Sequence, residues 1–95
     1  TARRQRRVPE NSQATEWQVA IDARGLLCPL PVLRARKRLL SMQGGEVLAL
    51  RATDPAAIVD VPHFCAEAGH TFLDCRDEGD SQLYLIRRGA SDQTS

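Results

Sequence analysis

The sequence predicts an α/β fold, a two-layer α/β sandwich in which two helices cover one face of a four-stranded mixed sheet. Three observations lead to this prediction. Apolar residues alternate with polar ones near position 20, they recur at helical spacing between positions 32 and 42, and strand-like and helical runs follow in the order β-α-β-α-β-β. With 95 residues, of which 42% are hydrophobic and 26% charged, the chain has the size and composition of one small globular domain.

The first strand and the first helix follow from two different apolar periods. Trp17, Val19 and Ile21 alternate with polar or small residues, which is typical of a strand with one buried face. A stripe at spacings of three and four residues predicts a helix that faces a core. Its members are Val32, Ala35, Leu39 and Met42, with Leu33 and Leu40 beside them.

A second strand is predicted over residues 46–52, and the strand, helix and strand are expected to form a crossover in which the two strands are parallel. Asp54 and Pro55 predict the start of a second helix, because aspartate caps helices and proline fits the first helical position. Pro62 lies inside that helix. Since proline lacks the N–H that continues the hydrogen-bond ladder, we expect a break near residues 60–61.

Two further strands are predicted near the end of the chain, over residues 70–76 and 82–88. The segment between them, residues 77–81, has the charged and glycine-containing composition of a turn. The two strands are therefore expected to pair as an antiparallel hairpin.

The folded domain is predicted to span residues 17–89, between an Arg-rich tail over residues 1–16 and a short tail over residues 90–95, both expected to be disordered. The first tail holds four arginines and two glutamates, and we interpret it as solvated, with contact to nucleic acid and a targeting remnant as the alternatives. No apolar run approaches the roughly 20 residues that cross a bilayer. Three cysteines are too few for a disulfide scaffold. We therefore expect a cytoplasmic protein with reduced thiols.

Cys28 is the candidate catalytic residue, because it stands where the first strand turns into the first helix. Free N–H groups and the positive end of the helix dipole stabilise an anion there, so we expect a lowered thiol pKa and a reactive thiolate. Four neighbours are predicted to shape the site. Gly25 supplies a positive-φ corner, Pro29 and Pro31 stiffen the helix start, and Asp22 either belongs to the site or only caps the turn.

The pattern Asp-x-x-Gly-x-x-Cys-Pro-x-Pro, followed by a basic amphipathic helix, Gly-Gly, a strand and Asp-Pro-Ala, resembles the TusA family of sulfur carriers, also called SirA-like or YhhP-like. The resemblance extends over about residues 17–89. It implies the same two-layer sandwich and a persulfide carried on Cys28. It also implies a relay sulfurtransferase without a cofactor, a cysteine desulfurase or rhodanese as sulfur donor, and a DsrE-like or other acceptor protein. The implied pathways are tRNA 2-thiouridine synthesis and sulfur oxidation or trafficking.

A cluster of basic residues follows Cys28 on the first helix. Because a sulfur carrier must dock on a donor and an acceptor, we expect Arg34, Lys37 and Arg38 to contact an acidic partner surface. The alternative is a solvated helix face. The competing hypothesis for the whole protein is a redox-sensitive regulatory or nucleic-acid-binding adaptor that transfers no sulfur.

Cys65 and Cys75 admit three interpretations. They can pair with each other, resolve a disulfide of Cys28, or fill the core, and core filling is the favoured one. The two histidines and these cysteines lack the spacing of known metal motifs, so no metal site is expected.

Overall fold

The computed structural model describes residues 16–90 and has the predicted architecture, with two helices on one face of a four-stranded mixed sheet. The predicted tails therefore lie almost entirely outside the described residues. The elements follow in the predicted order. Their bounds are β1 Val19–Ala23, α1 Leu30–Leu40, β2 Val47–Ala52, α2 Ala57–Ala68, β3 Thr71–Asp77 and β4 Gln82–Arg87.

The strands lie in the order β1-β2-β4-β3. β1 is parallel to β2, with Ile21 beside Leu50, as the predicted crossover requires. β4 runs antiparallel to both of its neighbours, so β3 and β4 form the predicted hairpin. Because β1 and β2 are parallel, their carboxyl ends lie at the same end of the sheet. The loops that follow these two strands form the candidate site.

The main core lies between the helices and the sheet. The predicted stripe is present on α1 and in the turn that follows it, because Ala35, Leu39 and Met42 are buried and Val32 is partly buried. The expectation that the two flanking leucines join this stripe is wrong, since Leu33 and Leu40 are 48% and 67% exposed. Successive helical residues are separated by about 100°, so a stripe only a few residues wide faces the core.

α2 continues without interruption through Pro62, so the predicted break near Asp60 and Val61 is wrong. Proline removes a single N–H from the ladder, the one that would donate to Ile58. Ile58 is half exposed, so water has access to this side of the helix, while Val61 and Cys65 are buried in the core and hold the helix against the sheet. The continuous helix fixes the direction of Asp60.

A second, smaller apolar cluster covers the sheet face opposite the helices. Four buried strand residues form it, and the indole of Trp17 packs against them: Val47, Ala49, Leu83 and Leu85. Beside the cluster, Arg76 binds the carboxylate of Glu16 at 2.9 Å. The described chain is thus held to this face from its first residue.

Candidate functional site

Cys28 lies in the loop between β1 and α1, and a glycine corner positions this loop. Gly25 has φ +83°, in the left-handed region that favours glycine, as the sequence predicted. Its N–H donates to Oγ1 of Thr53 at 2.9 Å, which ties the loop after β1 to the loop after β2. Cys28 therefore lies at the end of the sheet where the two parallel strands β1 and β2 terminate.

Asp54 fastens the same loop to the start of α2. One carboxylate oxygen accepts a hydrogen bond from the N–H of Cys28, and the other accepts one from the N–H of Ala56 at 3.0 Å. α2 begins at Ala57, and Ala56 occupies its N-cap position without a side-chain cap. The predicted capping position of Asp54 is therefore wrong by two residues, and its carboxylate joins two chain segments instead.

Asp60 is the polar side chain that contacts the sulfur. The exposed Cys28 thiol donates to Oδ2 of Asp60 at 2.9 Å. This hydrogen bond, partial desolvation and the charges of Asp60 and Asp54 raise the pKa of the Cys28 thiol. The expected lowering of that pKa is wrong, because a full negative charge in contact with the sulfur outweighs a helix terminus that carries about half a charge.

A shallow pocket of about 270 Å³ opens beside the thiol. Its walls are partly apolar and come from the start of α1 and one face of α2: Cys28, Pro29, Val32, Asp60, His63, Phe64 and Glu67. His63 Nε2 lies 3.3 Å from a carboxylate oxygen of Glu67, and both side chains are well exposed. A small sulfur-containing group has room to approach Cys28 from this side.

Large apolar side chains are exposed on the chain segments that carry Cys28 and Asp60. They belong to the loop before α1, the start of α1 and the first turn of α2: Leu27, Leu30, Ile58 and Val59, of which Leu27 and Val59 are 70% exposed. Such a group of large exposed residues marks a surface suited to contact with another protein.

The other predicted site residues differ in whether they line the pocket at Cys28. Pro29 occupies the N-cap of α1 and lines the pocket, and Pro31 is buried in the first turn. Asp22 lies outside the pocket lining, where it accepts hydrogen bonds from the backbone and side chain of Arg24. These bonds lower the pKa of Asp22 to about 2. Its position agrees with the turn-capping interpretation.

The three cysteines occupy three different environments, and all three are free. Cys65 is buried in the core, as the favoured interpretation expected, and desolvation raises its pKa to about 11. Cys75 is exposed on β3, so the expectation that it fills the core is wrong. Across residues 16–90, no three His, Cys, Asp or Glu side chains group as metal ligands would. Neither of the two helices in this part of the chain has the length and hydrophobicity of a membrane-spanning segment.

The predicted docking residues line a second surface on α1. Arg34, Lys37 and Arg38 form an open groove of about 550 Å³ together with Ile21 of β1 and Ser41. This groove shares no lining residue with the pocket at Cys28. The thiol and the basic groove are thus two separate surfaces on the same helix.

Asp54 and Asp60 contact Cys28 and were not among the predicted site residues. These two aspartates are separated from Cys28 by 26 and 32 residues in the sequence, so no local sequence pattern predicts their contacts with it. One sequence pattern could have indicated that Asp60 belongs to the site. Asp60, Phe64 and Glu67 are spaced by four and three residues, which places them on one face of a helix, provided that the helix passes through Pro62.

The model of the family described as Sulfurtransferase TusA matches residues 19–88, which include the loop of Cys28 and both helices. This chain belongs to the TusA family. The sulfur carrier protein TusA of Allochromatium vinosum is 41% identical over 73 residues, which is 77% of this chain and 96% of that protein. A relative from Neisseria meningitidis serogroup A is 48% identical over 58 residues, 61% of this chain and 78% of its own length.

The fold of this TusA family member is also found among solved structures. A crystal structure of a SirA-like protein from Desulfitobacterium hafniense superposes with a TM-score of 0.63 at 24% identity. The match covers 76% of this chain and 99% of that one. It supports the two-layer sandwich described above.

Proposed function

We propose that this protein is a sulfur carrier that accepts sulfane sulfur on Cys28 as a persulfide and passes it to an acceptor protein. The observation that carries the proposal is the placement of the thiol. Cys28 is exposed in the loop that follows β1, it lines a partly apolar pocket, and its loop is fixed by Asp54. Membership of the TusA family supports the same role.

The transfer needs little machinery from the carrier itself. The Cys28 sulfur attacks the outer sulfur of a donor persulfide, R–S–SH, and the S–S bond of the donor breaks to leave R–SH. Cys28 then carries Cys–S–SH, and a second exchange of the same kind delivers the sulfur to the acceptor. We propose a cysteine desulfurase or rhodanese as donor, a DsrE-like or other protein as acceptor, and a cytoplasmic role in tRNA thiolation or sulfur oxidation.

Mass spectrometry after incubation with a cysteine desulfurase and cysteine tests this function. The wild-type protein should gain one sulfur atom on the peptide that contains Cys28, and a reducing agent should remove it. Cys28→Ser should gain none. Cys75→Ser is the matched control, because it removes another exposed thiol and should load like the wild type. A wild-type protein that gains no sulfur, or a loaded Cys28→Ser variant, would contradict the proposal.

The basic groove on α1 is proposed as the docking surface for an acidic region of the partner. Arg34, Lys37 and Arg38 line it, and no hydrogen bond or ion pair within residues 16–90 occupies their side chains. Unpaired positive charges at one surface accelerate association with a surface of opposite sign.

Charge reversal tests the docking surface. The double variant Arg34→Glu and Lys37→Glu should slow sulfur transfer from the desulfurase about tenfold or more at low salt, and the difference should shrink as salt is added. Arg87→Glu is the matched control, because it reverses an exposed charge at the end of β4. Transfer by the double variant at the rate of the control would refute docking at this groove.

A further inference from the structure

The proposed sulfur uptake requires Cys28 to lose its proton while its sulfur forms a new bond, because the deprotonated sulfur is the nucleophile. A proton acceptor already contacts this thiol. Sγ of Cys28 donates to Oδ2 of Asp60 at 2.9 Å, which is short for a hydrogen bond that involves sulfur. Asp60 precedes the buried Val61 on an uninterrupted helix, so the backbone of α2 holds the carboxylate toward the sulfur.

The titratable groups that face Cys28 include two aspartates that make a preformed thiolate scarce. Asp54 lies in the loop before α2, and Asp60, His63 and Glu67 lie on the face of α2 toward the pocket. From α1, Val32 lines this pocket, and none of the charged side chains of Leu30–Leu40 does. The two aspartates raise the pKa of the Cys28 thiol, so at neutral pH the sulfur is held mostly in its protonated form.

We propose that Asp60 is a catalytic residue, the general base that takes the Cys28 proton during sulfur uptake. This inference rests on the proposed sulfur-carrier function. As the Cys28 sulfur bonds to the outer sulfur of R–S–SH, its proton moves to the Asp60 carboxylate and the electron pair of the breaking S–S bond leaves on R–S⁻. The proton then passes from Asp60 to R–S⁻, which restores the carboxylate and releases R–SH. No oxidant or reductant is consumed.

Asp60→Asn separates this role from a purely electrostatic one. Asparagine keeps the shape of the side chain but neither carries the charge nor accepts a proton. The pKa of Cys28 should fall, which the ultraviolet absorbance of the thiolate measures against the Cys28→Ser protein. A fall of one pH unit raises the thiolate fraction about tenfold. Removal of a general base slows a reaction by about 10² or more. Sulfur uptake should therefore become about tenfold slower at neutral pH despite the more abundant thiolate.

Sulfur uptake is measured as the rate of persulfide formation on the full chain from glutathione persulfide, by mass spectrometry after quenching. Glu46→Gln is the matched control, since it removes one negative charge outside the pocket lining and keeps the oxygen that accepts the N–H of Gln43. It should behave like the wild type in both measurements. Thermal unfolding of Asp60→Asn near the wild-type midpoint should confirm that the variant is folded.

A second measurement uses a neutral disulfide, bis(2-hydroxyethyl) disulfide, as the electrophile. Exchange through a general base should vary little with pH in the wild type below the pKa of Cys28. In Asp60→Asn it should rise about tenfold per pH unit, because only the thiolate then reacts. Uptake that is faster in Asp60→Asn, or the tenfold rise per unit in the wild type as well, would overturn the role of Asp60. If the wild type takes up no sulfur while its exchange is independent of pH, the carrier function fails, and Asp60 remains the base only for thiol–disulfide exchange at Cys28.

Discussion

Substitution of Asp54 by alanine should destabilise the domain at the point where the loop of Cys28 meets α2. The carboxylate of Asp54 accepts two backbone N–H groups, those of Cys28 and Ala56, and alanine leaves both without this acceptor. A hydrogen bond to a charged group contributes about 1.5–3 kcal/mol. Because the bond to Cys28 lies at the surface, where water can replace it, we expect a total loss of about 2–4 kcal/mol from the free energy of unfolding.

Denaturant titration followed by circular dichroism measures this loss, and thermal unfolding gives a second value. For a domain of this size the midpoint temperature should fall by roughly 10 °C or more. Asp54→Asn is the control, because one acceptor oxygen remains and about half of the loss is expected. An alanine variant within about 0.5 kcal/mol of the wild type would show that Asp54 does not hold the loop.

Three further outcomes follow from burial and charge. Val61→Ala should lower the free energy of unfolding by about 2 kcal/mol, because Val61 is fully buried, whereas the 70% exposed Val59 should tolerate alanine within about 0.5 kcal/mol. Nuclear magnetic resonance should show Asp22 titrating at about 2, and Arg24→Ala should move that pKa toward 3.8. Because folding depresses this pKa, the stabilisation is complete above about pH 4 and is lost as the pH falls toward 2. Of the three thiols, only Cys65 should resist iodoacetamide until denaturant is added, and its modification in the native protein would contradict its burial.

Local patterns in the sequence were sufficient for the order of the elements and for the position of Cys28 between β1 and α1. The alternation around Ile21 predicted β1, the stripe through Ala35 predicted α1, and Gly25 predicted the positive-φ corner, because each depends on a few neighbouring residues. The ionisation of Cys28 was predicted with the wrong sign. It depends on Asp60, which reaches the sulfur only after α2 has packed beside α1.

Pro62 is the reason that the contact between Asp60 and Cys28 could not be predicted from the sequence. Proline was expected to interrupt α2, and an interrupted helix gives Asp60 no defined direction. In the structure the burial of Val61 and Cys65 holds the helix against the sheet, although Pro62 cannot donate a backbone hydrogen bond. Tertiary packing therefore overrode a local preference, at the turn that carries the residue in contact with the sulfur.

Trp17, the single tryptophan of the chain, gives the protein a built-in optical reporter. Its indole packs on the sheet face opposite the helices, and it is absent from the lining of the pocket at Cys28. We expect unfolding to expose this indole to water, and a sulfur atom added to Cys28 to leave its surroundings unchanged, because the indole lies outside that pocket. Intrinsic fluorescence can thus follow the integrity of the fold during a sulfur-loading reaction, in the same cuvette and without a label.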